Sequence, residues 1–257
     1  MAKYWRIHSH DPDCIARLVR GADLSAVVAQ LLICRGVTDP RDARVFLDPK
    51  LSALRPPEDL PGCSAAAERI HAAIAANRKI VVYGDYDVDG MTAVAVLWRC
   101  LRMLGAQVSY YVPHRVDEGY GLHTDAVRKL ASESNELIIT VDCGITSVEE
   151  ARLARELGVA LIITDHHEPP AVLPDCDGIV HPRLPGTAYP FGGLSGSGVA
   201  LKLAWALCQQ ASQAKRVGQR MRDFLLQAVG LASLGTVADV VPLVDENRVL
   251  VRHGLNS

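Results

Sequence analysis

Three aspartates occupy alternate positions in the stretch VVYGDYDVDGMT, Asp85, Asp87 and Asp89, with Gly90 directly behind them. Two residues of extended chain span roughly 6.6 Å, so neighbouring carboxylates repel by about 2.5 kcal/mol at an effective dielectric of about 20. Such crowding calls for a cation. The pattern D-x-D-x-D-G also opens a calcium loop, but that loop takes a bidentate glutamate at its twelfth position. The twelfth residue from Asp85 is Val96, so the calcium loop is excluded. Two later apolar runs also close on aspartate: ELIITVD at Asp142, and VALIITD at Asp165, which His166 and His167 follow.

These groups span some 80 residues of chain, so the elements between them must bring them together. KIVVYGD, QVSYYVP, ELIITVD and VALIITD read as short buried strands. SAAAERIHAAIAAN, GMTAVAVLWRCLRMLG, HTDAVRKLASES and SVEEARLARELG read as helices between or before them. That alternation specifies βαβ units and a parallel sheet with both faces covered. In open α/β sheets functional groups collect beyond the carboxyl ends of the strands, where strand order reverses. Taken singly, each position has a plain reading: DYDVDG a polar turn, Asp142 a helix cap, the paired histidines a solvated loop. Together, at three strand ends, they predict one cleft with five carboxylates and two imidazoles. That donor set favours Mn²⁺, Mg²⁺ or Zn²⁺ over calcium.

Residues 1–60 read as a helical appendage. DLSAVVAQLLICRG has helical periodicity with Asp23 or Ser25 as cap, and TDPRDARVFLDP restarts with Thr38 or Asp39 capping. The Pro-rich RPPEDLPG marks the boundary to residues 61–257. After Glu168 comes a Pro- and Gly-rich loop region, then helices in VALKLAWALCQQASQA and QRMRDFLLQAVGLASLGTVAD, and the start of another in RVLVRHGLNS. The formal net charge of -2 gives no global basic signature, so attraction to a polyanion would have to come from a local patch or from metal ions. Seven cysteines with no C-x-x-C point to a reducing cytoplasm. No apolar stretch is long enough for a membrane span.

GDYDVDGMT, TVDCGI, TDHHEP and GTVADVVPL, in this order, resemble the four motifs of the DHH phosphoesterase superfamily. VPHRVDEGYGL, LLICRGVTDPRDARVFLDP and YPFGGLSGSGVALKLAWAL are similar to its RecJ branch, the single-strand-specific 5′→3′ DNA exonucleases. The resemblance implies a DHH α/β domain, two Mn²⁺ (or Mg²⁺) ions, phosphodiester hydrolysis in DNA repair and recombination, and single-stranded DNA as partner. It also implies a monomer served by single-strand-binding protein or helicase. The alternative is a DHH phosphatase or oligonucleotidase acting on small phosphoesters. Against the family's length, a second substrate-binding domain and an oligonucleotide-binding fold are expected to be missing here, with weakened activity.

By position, the resemblance makes Asp85, Asp87 and Asp142 ligands of one ion, and Asp89, Asp142, His166 and Asp239 ligands of the other, with Asp142 bridging. His167 falls near the scissile phosphate, with Asp165 in the catalytic set as its orienting group. Arg115 is similar to an arginine gripping a 5′-terminal phosphate. Ser195 and Ser197, in GGLSGSG before an apolar helix, are read as substrate-binding through backbone N–H groups at a helix start. Tyr110, Tyr111 and Tyr120 are candidates for base stacking. The family pattern has asparagine where this chain has His181, and commonly alanine where it has Ser195.

Overall fold

The computed structural model describes Tyr4 and residues 9–256. The stretches 1–3 and 5–8 of the expected appendage, and Ser257, lie outside the described residues. The chain divides into two compact units, Met1–Ala53 and Leu54–Ser257.

The first unit holds three helices, α1 (Pro12–Ala22), α2 (Ala26–Ile33) and α3 (Pro40–Leu47). The carboxylate of Asp11 caps α1, the Ser25 hydroxyl caps α2 and Asp39 caps α3, each accepting from a backbone N–H of the first turn. Leu18, Ala29, Leu32 and Ala43 form its core. Sequence periodicity finds α2 and α3 but not α1.

The second unit contains α4 (Cys63–Ala75), β1 (Lys79–Gly84), α5 (Val88–Met103), β2 (Gln107–Tyr111), α6 (Thr124–Ser132), β3 (Leu137–Val141), α7 (Val148–Glu156), β4 (Ala160–Thr164), β5 (Gly178–Val180), α8 (Gly196–Ser212), α9 (Gln219–Ala238) and α10 (Asp245–Gly254). The five strands form one parallel sheet in the order β2-β1-β3-β4-β5. The expected boundary near residue 60 lies earlier, between Ala53 and Leu54. Pro57 and Leu60 are buried, the Arg55 N–H donates to Glu246 Oε1 and the His181 N–H to Pro61 O, all inside the larger unit. The connector is Pro-rich because it is packed in an irregular path, not because it is a free linker. The strand β5 falls in what reads as loop; at three residues it is too short to show a period.

Both sheet faces are covered, which explains the unbroken apolar strands. Val81, Tyr83, Ile138, Leu161 and Ile163 pack with Val127, Leu130 and Ala154 of α6 and α7. Alternation sends their neighbours Ile80, Val82, Ile139 and Ile162 to the opposite face, and all four are buried there. On the helical side α5 packs on α8 and α9, and α4 on α8. The register decides what happens at the strand ends. Gly84 pairs with Val141 and Val141 with Thr164, so Asp85, Asp142 and Asp165 emerge side by side. Strand order reverses between β1 and β3, and the crevice opens there.

Candidate metal centre

Asp85 follows β1 and is buried; Asp87 caps α5, its carboxylate accepting the Gly90 N–H at 2.8 Å. A side chain at Gly90 would meet Asp85 O at 2.6 Å, so only glycine lets the chain fold this tightly between strand and helix. Asp89 lies in the first turn of α5, almost fully buried. Its two oxygens accept the N–H of Gly196 at 2.6 Å and of Ser197 at 3.0 Å, so the N-terminus of α8 points at it.

Asp142 adopts a left-handed backbone at φ 62°, a conformation that aspartate tolerates better than most residues. There its Oδ1 lies 3.0 Å from His166 Nε2. His166 Nε2 also stands 3.6 Å from Asp239 Oδ2 and 3.9 Å from Asp89 Oδ2. Asp239 arrives from the C-terminal end of α9. Three overlapping groups, Asp85–Asp87–Asp142, Asp89–His166–Asp239 and Asp142–His166–His167, each bring their ligand atoms within 4.8 Å of one another.

Three of these atoms, Asp85 Oδ1, Asp142 Oδ1 and His166 Nε2, are buried and make no hydrogen bond. Leaving a buried polar atom unpaired costs about 1–3 kcal/mol, and with Asp142 grouped both with Asp85 and with His166, the set calls for partners that bind oxygen and imidazole. A divalent cation fits that donor set. The proton balance agrees. Burial, reinforced by Asp89, Asp87 and Asp165, pushes Asp142 up to about 10. Burial also raises Asp85 and Asp239. The cluster therefore binds protons unless cations replace them.

Asp165 behaves differently. Burial pushes its carboxyl upward, but the His167 ring, the Ile145 N–H and the His167 N–H hold it below the usual range. Its Oδ1 accepts from His166 N at 2.7 Å and His167 N at 3.1 Å, and lies 2.7 Å from His167 Nδ1; Oδ2 accepts from Ile145 N at 2.9 Å. The hydrogen bond to Asp165 raises His167 in turn, against the effect of burial. His167 Nδ1 rests on Asp165, with the Tyr120 hydroxyl 3.1 Å from the same nitrogen.

The description "DHH family, N-terminal domain" matches residues 79–232, more than half of the chain. The chain belongs to the DHH family. It is 45% identical over 251 residues to the single-stranded-DNA-specific exonuclease RecJ of Bacillus subtilis, covering 98% of this chain and 30% of that protein. With the RecJ of Thermus thermophilus it shares 39% identity over 252 residues, covering 98% of this chain and 35% of the relative. A crystal structure of Thermus thermophilus RecJ in complex with Mn²⁺ superposes with a TM-score of 0.79 at 34% identity, over 98% of this chain and 34% of that one. The chain thus spans about a third of the length of these relatives.

Within the DHH frame, two expectations change. Ser195 and Ser197 are fully buried, and the backbone N–H groups expected to meet a substrate, those of Gly196 and Ser197, donate to Asp89. Ser195 Oγ accepts the Gly198 N–H at 3.2 Å and lies 3.0 Å from Thr236 Oγ1; Ser197 Oγ donates to Ala232 O at 3.1 Å. The helix start does meet an anion, but the anion is the protein's own Asp89. His181, the departure from the family's asparagine, is fully buried and belongs to none of the ligand groups.

Arg115 is exposed, its guanidinium 5.3 Å from the centre of the Tyr86 ring within the first motif. Of the tyrosines, Tyr111 stacks on Tyr83 and donates to Glu118 Oε1 at 2.6 Å, so its ring is engaged. Tyr110 packs edge-on against Trp98, and Tyr120 against His167. Sequence reasoning missed two glycines. A Cβ at Gly196 would stand 2.3 Å from Asp142 Oδ1, and one at Gly235 would stand 2.2 Å from Asp89 Oδ1. The available signal was Gly235 itself, a glycine inside a helix, which usually has a packing reason.

Proposed function

We propose that residues 54–257 form the catalytic core of a two-metal-dependent 5′→3′ exonuclease that hydrolyses single-stranded DNA. One observation carries the reading: Asp85 Oδ1, Asp142 Oδ1 and His166 Nε2 are buried without a hydrogen bond, in overlapping ligand groups that share Asp142 at the strand ends. Asp85, Asp87 and Asp142 would hold one ion; Asp89, His166 and Asp239 would hold the other, with Asp142 between them. Bound there, a pair of divalent cations supplies an activated water and neutralises charge on the phosphoryl oxygens.

The chain's own groups supply the rest. Asp165 keeps His167 oriented through Nδ1 and raises its titration point, which suits the ring to donate from Nε2 to a phosphate oxygen. Arg115, held against Tyr86, is a bidentate cation for a terminal phosphate, and binding an end rather than the interior favours exonuclease action. The names of the relatives, which are exonucleases specific for single-stranded DNA, and the Mn²⁺ in the Thermus structure support substrate and ion.

The test compares a long 5′-labelled single strand with a dinucleotide, each in Mn²⁺, for the parent chain and Asp142→Ala. The expected outcome is release from the 5′ end of the long strand, lost in the variant together with Mn²⁺ binding. Cleavage of the dinucleotide alone would turn the reading toward small phosphoesters, and an active Asp142→Ala would overturn the ligand assignment.

A further inference from the structure

The two histidines after β4 contribute more than ring nitrogens, because their backbone carbonyls are gripped by the chain leaving β5. The His181 Nε2–H donates to His167 O at 2.8 Å. The Arg183 guanidinium donates to His166 O and to Glu168 Oε2, each at 2.5 Å. The two grips are joined, since the Arg183 backbone N–H donates to His181 Nδ1 at 2.9 Å. With Nδ1 accepting, the imidazole hydrogen is assigned to Nε2, aimed at the carbonyl.

The opposite side of the same peptides is held as well. Asp165 Oδ1 accepts the N–H of both His166 and His167. Residues 166–167 are therefore pinned through N–H groups by one carboxylate and through carbonyls by His181 and Arg183. The loop entering α8 makes room for this arrangement, as a Cβ on Gly192 would stand 2.7 Å from Arg183 Cγ. Arg183 is not a core residue: its side chain is 41% exposed, and its donors face the ligand-bearing backbone.

We propose that Arg183, with His181 behind it, is a positioning residue for the DHH histidines. By fixing the two peptide planes it keeps His166 Nε2 centred among Asp89, Asp142 and Asp239. A ligand nitrogen must be held within about 0.5 Å to serve, and a ring on an unpinned loop would not be. This inference rests on the two-ion reading above, and its test separates the two.

Mn²⁺ binding is titrated calorimetrically on the parent chain, Arg183→Met, His181→Leu and His181→Asn, and the metal-free melting temperature of each is recorded. His166→Ala identifies which ion depends on that ring. Arg183→Met keeps the stem and removes the donors. It is expected to weaken the His166-dependent ion by about 10–100-fold, the usual range for groups that orient a ligand. The other ion and the metal-free melting temperature should stay close to the parent's. His181→Asn, whose Oδ1 can accept the Arg183 N–H in a local turn, should recover most of what His181→Leu loses. Equal weakening of both ions in step with a lower melting temperature would show simple support of the fold and overturn the proposal. Unchanged affinity for both ions would overturn it too. A parent chain binding one His166-dependent ion would reject the two-ion reading while still testing the grip; one binding none would reject both.

Discussion

Asp142 carries the sharpest conflict in the site, a buried carboxyl crowded by the carboxyls of Asp85, Asp87, Asp89 and Asp165, with the imidazoles of His166 and His167 beside it. Its folded state titrates near 10 whereas an unfolded aspartate titrates near 4. The native chain therefore holds a proton that the unfolded chain has released. Stability from this group is present below about 4 and is lost as pH rises toward about 10. In chelator, the melting temperature of the parent chain should fall between pH 5 and 9 more steeply than that of Asp142→Asn, and a matching slope would contradict the account. Added Mn²⁺ should reverse the trend, because the cation takes the place of the proton. Asp165 makes the opposite case, ionised and fully bonded. Asp165→Asn should lower the titration point of His167, followed by its ring proton resonances, since the hydrogen bond to Asp165 is the main cause of its rise.

At the scale of elements, two helices are brought onto the sheet edge by glycines. Replacing a glycine inside a helix by alanine ordinarily gains up to about 1 kcal/mol. For Gly235 in α9 the sign should reverse, because the new methyl would sit 2.2 Å from Asp89 Oδ1 and 2.3 Å from Ser197 Oγ. Overpacking of this kind costs typically about 1–3 kcal/mol. Gly235→Ala should unfold at lower denaturant and weaken the ion proposed at Asp89, and a stabilised variant would show that α9 does not approach so closely. The same geometry explains why α8 begins where it does. Its first N–H groups are satisfied by Asp89, and Ser195 closes the cap.

Across the larger unit, a buried ion pair joins parts far from the sheet edge. Lys202 of α8 and Glu246 of α10 are both buried and bonded to each other; Glu246 also accepts from Tyr189 Oη and from the Arg55 N–H. Burial lowers Lys202, so the pair depends on its partner. Removing Glu246 strands the buried Lys202 charge and should cost about 3–5 kcal/mol. Removing Lys202 should cost less, because Arg55 Nη1 stays 3.3 Å from Glu246 Oε2, and replacing both by apolar residues of similar volume should cost less than the sum of the two. Denaturant midpoints of Lys202→Met, Glu246→Leu and the double variant would check this; additive losses would refute it. All seven cysteines are free thiols, so no disulfide contributes to either unit. No helix among the described residues is long and apolar enough to cross a membrane.

The strands β1 to β4, the helices between them and the emergence of Asp85, Asp142 and Asp165 at strand ends could be read from the chain alone, whereas β5 and the capping of α5 by Asp87 could not. The legible features follow from local pattern: apolar runs of strand length, polar closers, and helices of crossover length between them. The metal-ligating character of the cluster was legible for the same reason, because a parallel sheet places every strand's carboxyl end on one edge. Tertiary structure alone decided what comes from elsewhere. Asp239 reaches His166 from the end of α9, which packs on α5 and α8; its motif GTVADVVPL marks it only through the family resemblance, and local pattern alone does not encode that approach. Ser195 and Ser197 look like a substrate loop until α8 is seen to face Asp89 instead of solvent. Register between distant strands and the packing of helices onto them are long-range properties, set by the fit of whole surfaces rather than by any one segment.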